Sequence, residues 1–339
     1  MSANVDLSSA VTQAEDPNTP DPSAPPVRKA KRASGVVGLL FQNGKASFGA
    51  AIIVFYLVIA ALGPWIAPFD PTEIVARRHE APSTTHWFGT DGSGKDVLSQ
   101  TIIGARSSLA TGLIVGTIVT IVAILVGMTS GYLRGRVDDI LTLLTNVVLI
   151  IPGLPLLLVL AAFLPPGFWS IIFVLSVTGW AWGARVLRSQ TMSLREKDFV
   201  ASAVTIGESK FRIMIREILP NMLSIVVAGY LGAVNYAIGA QAGLEFLGLG
   251  NPSNTSWGNN LYWAQNNSAL LLGAWWTLIP SGLSIALVAF GLTMINYAID
   301  EVTNPRLRSQ RQAAQILKGQ PANVRNSRAT PVLIEGAEN

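Results

Sequence analysis

The sequence predicts an all-α integral membrane protein of six transmembrane helices, with short amphipathic helices on one side between two of the spans. Three observations predict it. Half of the 339 residues are hydrophobic, 13% are charged and the mean hydropathy is +0.43, whereas soluble domains average about 25% charged residues. Charge-free runs recur at lengths that suit the roughly 20 residues a span requires. Lysine and arginine collect on one side of the spans so defined.

In chain order, residues 1–43 are a tail expected to be disordered, because 1–34 are rich in Pro, Ser, Asp and Ala with almost no large apolar side chains. No apolar core follows Met1, so no signal peptide is expected. Arg28, Lys29, Lys31 and Arg32 cluster before the first span and suit a topogenic signal; a nucleic-acid contact is the other reading. Residues 44–308 form the membrane domain. Ala46–Ala67 is its first span and Ser107–Leu133 its second. Ile140–Ala184 carries no charge and is twice too long for one span, so Pro165-Pro166-Gly167 should divide it into a third and a fourth. Asn221–Leu244 is the fifth. Phe246–Ile299 is also charge-free, but Gly250–Ser268 is rich in Asn, Ser and Trp and reads as an interfacial loop. That leaves a sixth span at about 273–299. Residues 309–339 form a second tail, also expected to be disordered.

Charge orients the spans. With both termini in the cytoplasm, 20 of the 24 lysines and arginines lie inside, and Arg77, Arg78, Lys95 and Arg106 lie outside. This is a strong positive-inside bias, expected of a multi-pass protein of a prokaryotic plasma membrane. Cysteine is absent, so disulfides and thiolate metal sites play no part.

The bias places Asp198–Asn221 in the cytoplasm, a charged island between apolar runs. A helix containing Ala201, Ser202 and Ala203 should stop at Gly207, since glycine readily takes the left-handed conformation that ends helices. A second short helix is expected from about Ser209 to Ile218. Phe211, Met214, Ile215 and Ile218 would share one side of it, with Lys210, Arg212 and Arg216 mostly elsewhere. Pro220, following Ile218 and Leu219, lacks a backbone N–H and should start or kink the next helix. Two short surface helices leading into a span suit docking on a soluble partner; an interfacial helix with no partner is the alternative.

On the opposite side, Gly89 to Lys95 fits seven positions of the phosphate-binding pattern G-x-x-x-x-G-K. The eighth is Asp96 instead of Ser or Thr, no strand precedes it, and it faces away from ATP. Nucleotide binding is therefore not expected there. His79 and His86, the two histidines, lie near Glu80 and Asp91, but without a fixed scaffold they read as loop residues. Gly112/Gly116, Gly127/Gly131 and Gly239/Gly243 are small-xxx-small pairs that let helices approach closely. Pro152 and Pro155 should interrupt and bend the third span, and with Asn146 they are candidate pathway residues. Glu245 falls at the outer edge of the fifth span, where an acid costs little and can meet loop donors. Trp257, Tyr262 and Trp263, among several Asn and Gln, offer aromatic faces and amides that suit neutral sugars; a membrane-interface belt is the simpler reading of them.

Several of these motifs resemble one family. The order Ala201-Ser202-Ala203, Gly207, Ile218-Leu219-Pro220 resembles the "EAA" coupling loop of ABC importer permeases. Phe88-Gly89-Thr90-Asp91, Gly94-Lys95-Asp96-Val97 and Gly104-Ala105-Arg106 resemble the signature of its dipeptide/oligopeptide/nickel branch, as do Gly131-Tyr132, Asp138, Phe246-Leu247-Gly248-Leu249-Gly250 and Ser256-Trp257-Gly258. The resemblance covers about residues 44–308.

It implies a type I ABC importer permease that forms half of a pathway for di- or oligopeptides. It further implies a homologous second permease, two cytoplasmic ATPase subunits or domains that hold ATP and Mg, and an extracytoplasmic binding protein. The chain itself then needs no cofactor or metal and is not an enzyme. Two departures stand out. The family's Met-Arg…Asp pattern on the third span is here Thr142-Leu143 and Asn146, and its C-terminal ending is replaced by Asn296–Glu301 and Asn304-Pro305-Arg306. The same architecture carrying oligosaccharides, or a secondary carrier or channel, are the alternatives. A carrier of that kind would show midplane ionisable residues or interrupted helices in corresponding halves.

Overall fold

The structure, a computed structural model, describes residues 44–303. Both expected tails, the basic cluster at 28–32 and the Asn304-Pro305-Arg306 ending lie outside the described residues.

Ten α-helices run through them: α1 Gly44–Ile66, α2 Val97–Leu133, α3 Gly135–Ile150, α4 Gly153–Phe163, α5 Phe168–Arg195, α6 Asp198–Thr205, α7 Lys210–Arg212, α8 Leu219–Phe246, α9 Trp257–Asn266 and α10 Ile279–Thr303. Five segments are long and apolar enough to cross a membrane, and α3 with α4 makes the sixth as a bent pair. No strand occurs among the described residues; Thr90 and Asp96 form an isolated bridge.

Several spans overrun their charge-free cores. The second begins at Val97, ten residues before Ser107, because Asp96 caps it: its Oδ2 accepts from the Ser99 amide at 2.8 Å. The fourth continues past Ala184 to Arg195 and so carries Arg185, Arg188 and Arg195 on a membrane helix. Its charges are tolerated because each of the three has a hydrogen-bond partner, described below. Gly250–Ser268 is not all loop: Ser256 caps α9, its hydroxyl accepting from the Asn259 amide.

The third span is broken outright, α3 and α4 meeting at 89°. Ile151 is extended at φ −70°, ψ 127°, as expected of a residue before proline, and Pro152 then starts α4. Pro155 sits in the first turn of α4, where an N–H has no intrahelical partner anyway. The interruption belongs to Pro152 alone.

Glycine sets how the spans pack. A Cβ on Gly112 or Gly116 would fall 2.6 Å or 2.5 Å from Ile238 or Val234 of α8. On Gly127 or Gly131 it would fall 2.6 Å or 2.7 Å from the carbonyl oxygens of Ala184 or Arg188 of α5. One end of α2 thus admits the fifth span and the other end the fourth. Gly239 and Gly243 differ from expectation: among the described residues nothing lies within 4 Å of a Cβ there, so the pair packs against none of the described helices. Two cores result. One joins α2, α4, α5 and α8 to the α6–α7 region, and the other joins α1, α2, α8, α9 and α10 around Tyr56, Trp257 and Leu292.

Replacing Gly127 with Leu should therefore destabilise the chain by about 1–3 kcal/mol or more, since the obstacle is backbone. Gly153→Ala, where a Cβ meets nothing within 4 Å, should be neutral. Thermal aggregation midpoints of the two variants in detergent check this.

Candidate coupling segment and transport pathway

The Asp198–Asn221 stretch is built around one left-handed residue. Gly207 has φ +86°. The Gly207 amide donates to the Val204 carbonyl at 3.0 Å and the Glu208 amide to the Ala203 carbonyl at 3.1 Å, the paired bonds of a Schellman ending. The expected turn is present. The expected second short helix is not separate: α7 passes through one π turn, Ile213–Ile218, directly into α8. There the Leu219 amide donates to the Met214 carbonyl, five residues back. The wider turn leads into Pro220, which falls in the first turn of α8 as expected of a residue that starts a helix, without interrupting the helical run.

The π turn also changes which face is buried. Ile213 and Ile218, five residues apart, are buried, while Phe211 is 70% exposed. The stripe of Phe211, Met214, Ile215 and Ile218 expected from a 3.6-residue period does not form. Val200, Ala203, Ile213 and Ile218 anchor the segment in the core. Ala201, Ser202, Gly207, Phe211 and Pro220 stay exposed and Leu219 half-buried. Ala203 and Ile218 are thus internal supports. Sequence reasoning missed Val204 and Ile206, the latter 81% exposed; an apolar pair directly before a helix-ending glycine was the available signal. Val204, Ile206 and Phe211 give the segment an uncovered apolar surface, rimmed by Lys210 and Arg212.

The segment leaves α5 at a corner held by charge. Arg188 of α5 donates from Nε to Asp138 Oδ1 and from Nη2 to Oδ2, each at 2.7 Å. Ser130 of α2 and Thr142 of α3 donate hydroxyl hydrogen bonds to the same carboxylate. Below it, Arg195 donates to the Tyr132 carbonyl at 2.6 Å and Arg134 pairs with Glu196. Spans two, three and four are tied together where the segment begins. Bidentate Arg–carboxylate pairs are the strong, orienting kind.

Beside this corner two cavities open. A groove of about 640 Å³ lies between α2, α5 and α8, lined among others by Leu149, Thr178, Trp182, Gly229, Gly232 and Tyr236. A smaller cavity of about 200 Å³ borders Ser130, Thr142, Asn146, Arg185 and Arg188. Asn146 accepts from Arg185 Nη2 at 2.9 Å. The third span carries no charge at Asn146, and a cation stands opposite it. Pro152 and Pro155 line neither cavity.

The other end of the molecule is a fastened cap. Glu245 is 4% exposed and accepts from Ser256 Oγ at 2.6 Å and Gln241 Nε2 at 2.9 Å. It meets a loop donor as expected, but as a buried staple, not an exposed edge acid. Trp257 is fully buried; its indole donates to the Thr101 carbonyl at 3.0 Å. Tyr262 covers Gly248, and Trp263 donates to the Pro252 carbonyl. Trp257 offers no stacking face, which removes a central part of the sugar reading. In the Gly89–Lys95 loop the amides of Ser93 and Lys95 are occupied by Asp91 Oδ1, at 2.7 and 2.9 Å; a phosphate would find its donors taken. His86 faces Asp96 Oδ1 at 3.0 Å and packs on Phe69. At the cap's rim the hydroxyl and amide of Thr72 hold the Asp70 carboxyl below the usual range.

Six spans, an open groove between them and no nucleophile–base constellation along it describe a membrane permease. Residues 123–309 match the family described as binding-protein-dependent transport system inner membrane component, and residues 37–82 match the N-terminal TM domain of oligopeptide transport permease C. The chain is 32% identical over 271 residues to the dipeptide transport system permease protein DppC of Bacillus subtilis, covering 79% of this chain and 84% of the relative. It is 30% identical to the oligopeptide transport system permease protein OppC of the same organism, over 80% and 88% of the two chains. It is 32% identical to the probable D,D-dipeptide transport system permease protein DdpC of Escherichia coli, over 76% and 86%. The chain belongs to the binding-protein-dependent transport family, as a type I ABC importer permease of the plasma membrane. ATP hydrolysis lies on separate subunits, and the carrier or channel alternative falls.

Asp138→Ala should strand the Arg188 cation and lower stability. Because both side chains are partly exposed, the loss should fall below the about 3–5 kcal/mol typical of fully buried pairs. Asp138→Ala with Arg188→Leu should recover part of it. Melting of the four members of the cycle measures the coupling. Lys95→Ala should leave ATP binding by the assembled importer unchanged; labelling of this chain at Lys95 by a photoreactive ATP analogue would contradict that.

Proposed function

We propose that this chain forms half of the membrane pathway for di- or oligopeptides in an importer whose other half is a homologous second permease. An extracytoplasmic binding protein delivers cargo. Two cytoplasmic ATPase subunits or domains hold ATP and Mg. Both termini of the chain are cytoplasmic, in keeping with the lysine and arginine bias. The glycine face of the fifth span, with Gly239 and Gly243 open, receives the second permease. The relatives named for dipeptide and oligopeptide transport support the choice of cargo; none of those cited is named for sugars.

The observation that carries coupling is the uncovered apolar surface of Val204, Ile206 and Phe211 around the Gly207 turn. Its anchors are buried in the core of spans two to five, so force on the surface reaches the spans. ATPase closure displaces the segment, and because α5 and α8 leave it as continuous helices, the groove between them changes access. The two access states form an equilibrium biased by ATPase and cargo.

Gly207→Asp tests this. Open space surrounds the Gly207 Cβ position, so the substitution acts through strained φ and added charge, not through a clash in the core. The purified complex should keep its subunits while cargo-stimulated ATPase activity falls roughly tenfold, within the usual range of coupling energies. Normal stimulation in an intact complex would refute the assignment.

A further inference from the structure

The smaller cavity holds a cation whose partner is neutral. Arg185 lies within the fourth span. It donates to Asn146 Oδ1 at 2.9 Å. Among the described residues no carboxylate lies within ion-pair distance of it, and the nearby Asp138 is engaged by Arg188. The cavity thus carries one uncompensated positive charge. An ionisable residue inside a span that faces a cavity marks a ligand or ion path by default.

Its place relative to the groove says what it meets. Thr178 and Trp182 line the groove from α5. Arg185 follows them at i+7 and i+3, on the same helix face. Leu149 lines the groove from α3, and Asn146 precedes it by three residues, again on one face. Val186 and Leu187 also line the groove, further along α5, so Arg185 and Asn146 stand together beside its cytoplasmic end, in the adjoining smaller cavity. Arg185 is exposed and Asn146 half-buried, and both line the smaller cavity, so the pair is accessible to a ligand. A volume of about 640 Å³ falls in the range of small-molecule sites and suits a short peptide.

We propose that Arg185, positioned by Asn146, binds the C-terminal carboxylate of the peptide cargo at the cytoplasmic end of the groove. This rests on the peptide reading and on the orientation given above. The neutral partner is what makes the site work. Asn146 holds the guanidinium in place through its carbonyl oxygen and leaves its charge for the cargo. An aspartate there would neutralise Arg185 internally.

The experiment uses the assembled, nucleotide-free importer in detergent, without binding protein, and equilibrium binding of radiolabelled trialanine and trialanine amide. The free acid should bind about tenfold or more tightly than the amide, as a charge-assisted pair implies. Arg185→Gln and Asn146→Asp should each abolish the preference, bringing the acid down to the level of the amide. Arg185→Lys should retain most of the preference. A preference that survives Arg185→Gln and Asn146→Asp overturns the site, as does the absence of any preference in the unsubstituted protein. Equal loss of acid and amide, together with loosening of the two permeases, would mean that a carboxylate of the second permease occupies the position, and also overturns it. Uptake of trialanine by the unsubstituted importer with its own binding protein is measured alongside: failure there removes the peptide reading itself, whereas uptake without the Arg185 effect removes the site alone.

Discussion

The carboxylate of Asp138 is the point on which one end of the molecule depends. It stands near the start of α3 and gathers donors from three spans: the Arg188 guanidinium of α5, the Ser130 hydroxyl of α2 and the Thr142 hydroxyl of its own helix. A single carboxylate can serve all of them because it has about four lone-pair sites. The glycines make the meeting possible. Without the close approach at Gly127 and Gly131, α2 and α5 would stand too far apart for Ser130 and Arg188 to reach one acid. Packing and electrostatics are thus one arrangement. It also sets the mechanical character of the corner, since the segment that follows Arg195 cannot shift without carrying α5, and α5 cannot shift without α2 and α3.

The opposite end is fastened by different means. Glu245 is buried against Ser256 and Gln241, Trp257 donates to Thr101, and Trp276 reaches the Thr90 carbonyl at 3.2 Å. These bonds tie the ends of the second, fifth and sixth spans to the loop between spans one and two. The two tryptophans donate to backbone carbonyls, while the two bonds of Glu245 join side chains. Between a charged corner and a hydrogen-bonded cap lies the groove, where α8 presents Gly229 and Gly232 and makes few commitments. A helix held at both ends and loose in the middle is free to change its neighbours there.

Much of this architecture was legible in the sequence, because charge is scarce in a membrane chain and every charge is informative. Span number, the Gly207 turn and the break near Pro152 followed from local chemistry. What was not legible required partners distant in sequence. The run without charge ended at Ala184, yet the helix continues because Arg188 meets Asp138, 50 residues away. The face of the coupling segment was misjudged because a 3.6-residue period was assumed where one π turn shifts the spacing to five. Nothing local distinguishes Ile213–Ile218 from an ordinary helix except Pro220 just beyond it, whose missing donor makes the wider turn favourable. Glu245 was read as an edge acid because it lies where a span ends, and Trp257 as an open aromatic face because it lies in a polar loop. Only the position of α9 over α2 reveals that they are interior.

The contrast between the two arginines of α5 carries the functional argument furthest. Arg188 and Arg185 are three residues apart on one helix and border one cavity, but one is matched by a carboxylate and the other by an amide. If charge in the span served stability alone, both would be expected to carry acids, because a lone cation inside a bilayer costs about 2.5–3.5 kcal/mol on insertion scales. The chain pays that cost at only one of them, and at the one whose helix face continues the lining of the groove. Arg188 is committed to holding spans two, three and four together. Arg185 keeps its charge one turn from Trp182, bordering the smaller cavity, where among the described residues no carboxylate meets it.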